Sequence, residues 1–548
     1  MGDGLYDLAV VGAGPAGSTT AILAARRGLR VALIDRQTFP RDKTCGDGIG
    51  PTAVRTLREI GVGDVFDGCT PVRDVTIYGP GGEQLASPIP PIDGEAAYGY
   101  VIPRIEFDLR LFNRALAEGA EDFQGHRFTG MRLLPDRREI DLRTADGAEL
   151  TIQARLVVGA DGAYSAVRKE LDPPAPSAAK NHTLLAMRAY ADSPDFLPGA
   201  KFGPRLLFEF TRDLLPSYGW IFPADGGRIN IGAGGPIPIL RKRGIDLKAQ
   251  IHVFADQMRA KGIEIGELRD VRAHQLPHVA GLARLSHPRA VLLGDAAAMI
   301  NPVSGEGIAY AVAAACQLAQ ALPDDLTSAD ALQSALDSFE RAFRRHHRAH
   351  FASIRISSAM LHSKTWAGIL LNAAQRDPKV LEDGVNLLFG FGRIRAGTVA
   401  RITRSGWKRP TPPHRIGETV DSPRSGESDS TGAEARGEPP RAGPHPRLSA
   451  VNRTQCHCSP APTAVLVDCR TPWPRAGRRV HGLRTRPDHR VLDVVPSRRT
   501  TQHVPLLPGP RAGHARLGAV DHVRPAVDAA VGVQPRAPLP RADRLTRR

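Results

Sequence analysis

The first long feature of the chain is an unbroken apolar run, Leu8 to Val11, closed by Gly12. A run without polar alternation predicts a strand buried on both faces, as in a parallel sheet covered by helices. Small residues after Gly14 predict a helix, and a second apolar run, Val31 to Ile34, ends at Asp35. The same order returns twice. Leu156 to Val158 precedes Asp161-Gly162 and a helix carrying Arg168, and Val291 to Leu293 precedes Gly294-Asp295, a proline loop and a small-residue helix opened by Gly305-Glu306-Gly307. A different period appears at 218–222, where Tyr218, Trp220 and Phe222 alternate with Gly219 and Ile221. A period of two places all three rings on one face of an extended segment. From 328 to 410 the apolar positions recur at helical spacing with scattered Lys and Arg.

The glycines give the first run its chemistry. Gly12, Gly14 and Gly17 stand in GxGxxG spacing. The first permits a tight turn, the second lets backbone approach a pyrophosphate, and the third lets helix pack on strand. The helix N-terminus faces the diphosphate charge, and Asp35 stands where a carboxylate accepts hydrogen bonds from an adenosine ribose. Ala16 and Arg36 belong to the same cradle. The later runs select the cofactor. Asp295 at a strand end suits ribityl hydroxyls. The helix that starts near Gly307 offers N–H groups and a positive dipole end to a flavin ring, which favours an anionic reduced flavin.

GxGxxG, then Asp161-Gly162, then Gly294-Asp295, in that order, resemble the aromatic-hydroxylase-like FAD superfamily. The resemblance implies FAD as cofactor and adds Pro302, Gly305 and Ile308 to the contacts expected of Asp161, Gly162, Gly294, Asp295 and Gly307. The expected fold class is α/β: a Rossmann-type FAD-binding domain (residues 1–71, 101–172 and 276–325) with an inserted β-rich substrate domain (72–100 and 173–275) and C-terminal helices (326–415). The ring-hydroxylating branch carries a histidine, a glutamine and an asparagine where this chain has Ala298, Glu306 and Ala309. Three other segments, FPRDKTCGDGIG (39–50), PSYGWIFP (216–223) and NPVSGEGI (301–308), look like the geranylgeranyl reductase family, which saturates double bonds of isoprenoid chains. Its menaquinone side-chain reductases are the most similar branch.

That resemblance implies that Cys45 and Gly46 lie beside the isoalloxazine, that Arg104 contacts the cofactor, and that Cys45, Tyr218 and Trp220 form the catalytic group. Tyr218, Trp220 and Phe222 would line the substrate cavity. Each has a plainer reading: Cys45 as a small buried filler, Arg104 as a surface ion-pair member, the three rings as sheet core. An isoprenoid tail has few polar handles, so its binding comes from apolar burial. At about 0.8 kcal/mol per buried CH₂, a five-carbon unit contributes roughly 3–4 kcal/mol, and flat stiff rings collect it at little entropic cost. Reduction needs a hydride, which reduced FAD supplies, and a proton, for which flavin, Cys45 and ordered water all remain open. The body has no second GxGxxG, so the electron donor, NAD(P)H or a ferredoxin-like protein, is left open. The competing function is an FAD-dependent monooxygenase acting on a prenylated or other apolar molecule. A flavin-free carrier of prenylated proteins is disfavoured by intact Gly14, Asp161 and Asp295.

Charge alters little of this. The formal charge is +16, but residues 421–548 hold 22 Arg, no Lys and 11 acidic groups, leaving about +5 for the body. No basic, aromatic-studded face predicts a nucleic-acid partner. Residues 421–548 also lack Ile, Phe, Tyr and Met. These are types with AT-rich codons, which points to a GC-rich gene read in an unselected frame; a genuine in-frame tail is the competing reading. Either way, 416–548 is expected to be a disordered Arg/Pro-rich segment. The six cysteines show neither a disulfide framework nor a metal set, the CHC at 456–458 included. The spacing of His346, His347 and His350 allows a metal site, but a solvated basic face is the stronger expectation. No apolar run is long enough to span a bilayer. The expected location is the cytoplasm, with contact at a membrane surface.

Overall fold

The computed structural model describes residues 4–92, 97–172, 182–211, 215–216 and 218–407; the expected tail at 416–548 lies outside them. The apolar runs form the centre of an eight-stranded sheet. Leu5–Val11 pairs in parallel with Val31–Asp35 on one side and with Glu149–Gly159 on the other, so that Val10 sits opposite both Leu33 and Val158. Ala290–Leu292 continues the parallel order beyond Glu149–Gly159, and Glu121–Gln124 beyond Val31–Asp35. Leu8, Ala9, Val10 and Leu33 are fully buried, as strands covered on both faces require.

Helix Pro15–Arg26 begins directly after the glycine turn, with proline in its first turn, where the missing N–H costs nothing. It packs against helices Arg104–Ala117 and Ile308–Ala321. Gly17 lets the helix lie close on the strand and turn before it: a Cβ there would stand 1.8 Å from the Gly12 carbonyl oxygen.

The second sheet has seven strands, in the order Arg269–Pro277, Thr183–Asp192, Arg228–Pro236, Gly219–Pro223, Arg205–Glu209, Asp74–Tyr78 and Gln84–Pro88. Its two faces part the alternating residues. Leu207, Ile221, Ile229 and Ile231 pack against Ile251, Phe254 and Met258 of helix Leu247–Ala260. Gly219 lies on that face because a Cβ would meet the Phe254 ring at 2.6 Å. The opposite face carries Phe208, Trp220 and Phe222 and joins the large core that includes the first sheet. The sheet's early strands end at Pro88, and Tyr100–Val101 pairs instead with Gly48–Ile49, so the stretch near 100 belongs beside the 39–50 loop rather than in the second sheet.

Helices Ala329–Leu361, Lys364–Arg376, Pro378–Leu388 and Ala396–Gly406 follow. The first, of 33 residues, buries Leu332, Leu336, Phe339, Phe343, His347, His350, Ile354 and Leu361 along one seam. His347 and His350 are therefore core residues, which corrects the expected solvated basic face; only His346 of the three is exposed. Among the described residues no cluster could hold a metal ion, and no helix is long and apolar enough to cross a membrane.

Candidate active site

One cavity lies between the ends of the parallel strands and the ring-bearing face of the second sheet. At its dinucleotide end, Gly12 takes a φ of +101°, and a Cβ there would stand 2.3 Å from the Ala160 carbonyl oxygen. Gly14 has open space where a Cβ would be, bounded at 3.9 Å by the guanidinium nitrogens of Arg41 and Arg104. A backbone-walled hollow at a helix N-terminus, with two arginines over it, is a cradle of the right chemistry for a pyrophosphate. Asp35 stands at the strand end as expected. It accepts hydrogen bonds from the Ala13 N–H (3.1 Å) and the Gln37 N–H (3.0 Å), and it pairs with Arg41 at 3.1 Å. These residues fit FAD.

Arg104 is buried, not a surface ion-pair member. Its Nε and Nη2 donate to the two oxygens of Asp108 at 2.6 and 2.7 Å, and Asp108 also receives Arg41 at 3.0 Å. The Cys45 thiol lies against the Arg104 guanidinium. Asp295 pairs with Lys43 at 3.1 Å. Burial works against its ionised form, but Lys43, His274 and Arg104 outweigh burial and hold the carboxyl below the ordinary range. His274, also facing the cavity, is pushed down to about 4 by burial and then by Lys43.

Of the expected contacts, Gly12, Gly14, Ala16, Asp35, Arg36, Cys45, Gly46, Arg104, Asp161, Gly162, Gly294, Asp295, Gly305, Gly307 and Ile308 all border the cavity. Gly17 and Pro302 do not; Gly17 serves packing, and Pro302 is buried away from the cavity. Asp161 has a local task. Its carboxylate accepts from Ser165 Oγ and from the Ala166 (2.6 Å) and Val167 (3.2 Å) N–H groups, which starts the next helix.

The other end of the cavity is aromatic. Tyr218, Trp220 and Phe222 border it together with Phe208, whose ring lies 5.2 Å from both Tyr218 and Phe222. Register places Phe208 and Gly232 opposite Trp220 and Asn230 opposite Phe222. Gly232 leaves the indole its room, since a Cβ there would stand 2.1 Å from Trp220 Cζ2. The Trp220 and Phe222 rings in turn lie 3.3 Å from where a Cβ on Gly46 would be, so the Cys45-Gly46 turn rests on the aromatic face. Tyr218 donates its hydroxyl to the Ser304 carbonyl and so ties the wall to the Gly305 loop.

A polar seam holds the 39–50 loop to the second sheet. Asn230 accepts from Trp220 Nε1 (3.0 Å) and donates through Nδ2 to the Cys45 carbonyl and to Asp47 Oδ2, both at 2.8 Å. Asp47 also accepts from the Tyr190 hydroxyl at 2.5 Å and the Arg104 N–H at 3.2 Å. Arg188, 1% exposed, reaches Asp42 at 2.6 Å and stacks over Tyr190. Burial pushes Asp47 up to about 6 despite its donors. Sequence reasoning missed Arg41, Lys43, Asp47, Phe208, Asn230 and His274. The first three lie inside FPRDKTCGDGIG, and Asn230 is the lone amide on the Arg228–Asn230–Gly232 face of its strand.

A model of an FAD-binding domain matches residues 6–213. The chain is 35% identical over 316 residues to a menaquinone reductase of Mycobacterium tuberculosis, covering 56% of this chain and 74% of that protein. It is 28% identical over 344 residues to a digeranylgeranylglycerophospholipid reductase of Methanosarcina acetivorans, covering 62% of this chain and 81% of that one. In fold it is similar to a geranylgeranyl bacteriochlorophyll reductase-like protein from Thermoplasma acidophilum, with a TM-score of 0.60 at 21% identity over 74% of this chain and 96% of that one.

Proposed function

The chain belongs to the geranylgeranyl reductase family of FAD-dependent oxidoreductases, and from that premise we propose that it saturates a carbon–carbon double bond in an isoprenoid chain, with the side chain of a menaquinone as the preferred substrate class. One observation carries this reading: a wall of four rings, Phe208, Tyr218, Trp220 and Phe222, opens on the same cavity as the glycine turn and Asp295. A substrate that is apolar over most of its length gains affinity from such a wall and needs few hydrogen bonds.

FAD supplies hydride to the alkene when reduced. The residues act around that transfer. Gly12, Gly14 and the helix N-terminus hold the diphosphate, Asp35 the adenosine ribose, and Asp295 with Lys43 the ribityl region. Arg104, locked to Asp108, fixes the Cys45-Gly46 turn at the boundary between cofactor and rings. Tyr218, Trp220 and Phe222 orient the chain and keep water from it. Electrons come from a separate donor, a nicotinamide nucleotide or a ferredoxin-like protein. An exposed edge supports contact with a lipid surface, where long-chain substrates reside: Trp366 and Trp407 are 42% and 65% exposed and lie 6.0 Å apart.

The test is a single turnover. The purified full chain, reduced anaerobically, is mixed with a menaquinone or a geranylgeranyl compound, and the flavin band is followed while product mass is measured. Reoxidation with a gain of two hydrogens is expected. Turnover only on admission of oxygen, with a gain of one oxygen atom, would replace the reductase by a monooxygenase.

A further inference from the structure

The acids that border the cavity are Asp35, Asp161, Asp295 and Glu306. Three are engaged by side chains: Asp35 by the cation of Arg41, Asp295 by that of Lys43, and Asp161 by a hydrogen bond from the Ser165 hydroxyl. Among the described residues Glu306 has no cation and no side-chain donor. Its Oε1 accepts the Ala309 N–H at 2.8 Å. Its Oε2 lies 3.1 Å from where a Cβ on Gly50, another residue that borders the cavity, would stand. The carboxyl thus lies between the 39–50 loop that carries Cys45 and the loop whose Ser304 carbonyl receives Tyr218.

Resting on the reductase reading above, we propose that Glu306 is the acid that supplies the proton in alkene reduction. The step balances as follows. The π bond of the substrate breaks; one carbon receives hydride, with both electrons, from reduced FAD, which is thereby oxidised. The adjacent carbon receives the proton of the Glu306 carboxyl, and the carboxylate left behind is reprotonated from water.

The protonation state suits the task. Burial pushes Glu306 up to about 7, against the pull of the Ala309, Ile308 and Gly307 N–H groups and with the push of Asp295. The titratable groups that face it are Asp295 from the Gly294 turn, Tyr218 from the start of the aromatic strand and Tyr310 from the helix Ile308–Ala321 that follows it, with Cys45 sharing the environment of Tyr218. None is a cation, so only the backbone N–H groups favour the ionised form, and a substantial share of the carboxyl is protonated near neutral pH. The reactive form is the acid, and the rate should fall as pH rises through about 7.

A helix-capping role alone would use the same Ala309 contact. Glu306→Gln separates the two, because the amide oxygen still accepts that N–H while the side chain no longer delivers a proton. In single turnovers of the reduced full-length holoenzyme with a menaquinone, across pH 5.5–8.5, the variant should lose about 10²–10⁴-fold in rate and its dependence on pH. Glu306→Asp should recover part of the rate. Two readouts stand apart from turnover. FAD affinity should stay within a few-fold, and the infrared absorption of protonated carboxyl at neutral pH should be weaker in Glu306→Gln than in the unmodified protein. Unchanged rate and pH profile in Glu306→Gln, or an unchanged infrared band, would overturn the proton-donor role alone. Failure of the unmodified enzyme to add two hydrogens would overturn the reductase reading and the donor role with it.

Discussion

The two sheets of this protein meet one cavity by opposite means. The parallel sheet approaches with backbone and paired charge: Gly12 and Gly14 leave main chain bare, and Asp35, Asp108 and Asp295 are each tied to a base. The second sheet approaches mainly with rings, and its Asn230 is tied to Asp47 of the 39–50 loop rather than turned to the cavity, which leaves His274 and Arg188 as the polar side chains it brings there. A charged, rigid cofactor is held by groups that can come in one geometry only. A flexible apolar chain is held by area, which many geometries supply. The two ends should therefore fail differently.

The largest effect is expected at the glycine turn. In Gly12→Ala the new Cβ meets the Ala160 backbone at 2.3 Å, in a conformation with φ of +101° that L side chains rarely adopt. Backbone on both sides leaves no flexible atom to yield. The variant should lose bound flavin and at least about 2 kcal/mol of stability, read as a colourless protein with a lowered melting temperature. A yellow protein with unchanged melting would show that the two ends do not differ in tolerance.

At the aromatic end the loss should be graded. Phe222→Ala strips one ring from the wall, worth about 2 kcal/mol of substrate contact and so about 30-fold in dissociation constant. Binding is read from the perturbation of the flavin spectrum by an unreactive, saturated menaquinone analogue. FAD affinity should hold. If Phe222→Ala instead released FAD while substrate binding stayed intact, the rings would be core of the fold and not a substrate wall.

The same contrast explains what could be read in the sequence. The dinucleotide end was legible because backbone approach demands glycine at fixed spacing along one continuous segment, and the apolar runs Leu8–Val11 and Val31–Ile34 report burial on both faces directly. The alternation at Tyr218, Trp220 and Phe222 was equally plain, since a period of two is local. What stayed hidden came from other strands. Phe208, Gly232 and Asn230 acquire meaning only from the register that sets them opposite Trp220 and Phe222. The ion pairs Arg41–Asp108 and Lys43–Asp295 span 67 and 252 residues of sequence, so no spacing rule could have joined them. His347 and His350 were misjudged by composition. The basic string RRHHRAH reads as solvated, whereas the apolar positions at Leu336, Phe339, Phe343 and Ile354 carry both histidines onto the buried seam.

That seam yields the smallest and most specific prediction. It backs the helix whose N-terminus faces the cavity, because the Tyr310 hydroxyl donates to His350 Nε2 at 2.7 Å. His350 Nδ1 lies 2.8 Å from the Gly392 carbonyl and must carry the ring's proton, so the imidazole is neutral with both nitrogens used. Burial pushes His350 down to about 4, and His347 is driven well below its ordinary value for the same reason. A base depressed in the folded state contributes stability that is present above its unfolded value, near 6.5, and is lost as pH falls towards 4. For His350 alone the loss at pH 5.5 is about 1 kcal/mol. Denaturant unfolding at pH 7.5 and 5.5 should show this acid loss, and His350→Gln, which retains a donor and an acceptor but no proton affinity, should remove one group's share of it. His252→Gln, at an exposed position on the helix that backs the second sheet, is the comparison substitution. Equal shifts from both substitutions would mean that the acid response is not localised behind the cofactor end. A shift from His350→Gln alone would place a pH-sensitive support directly behind the helix that follows Glu306.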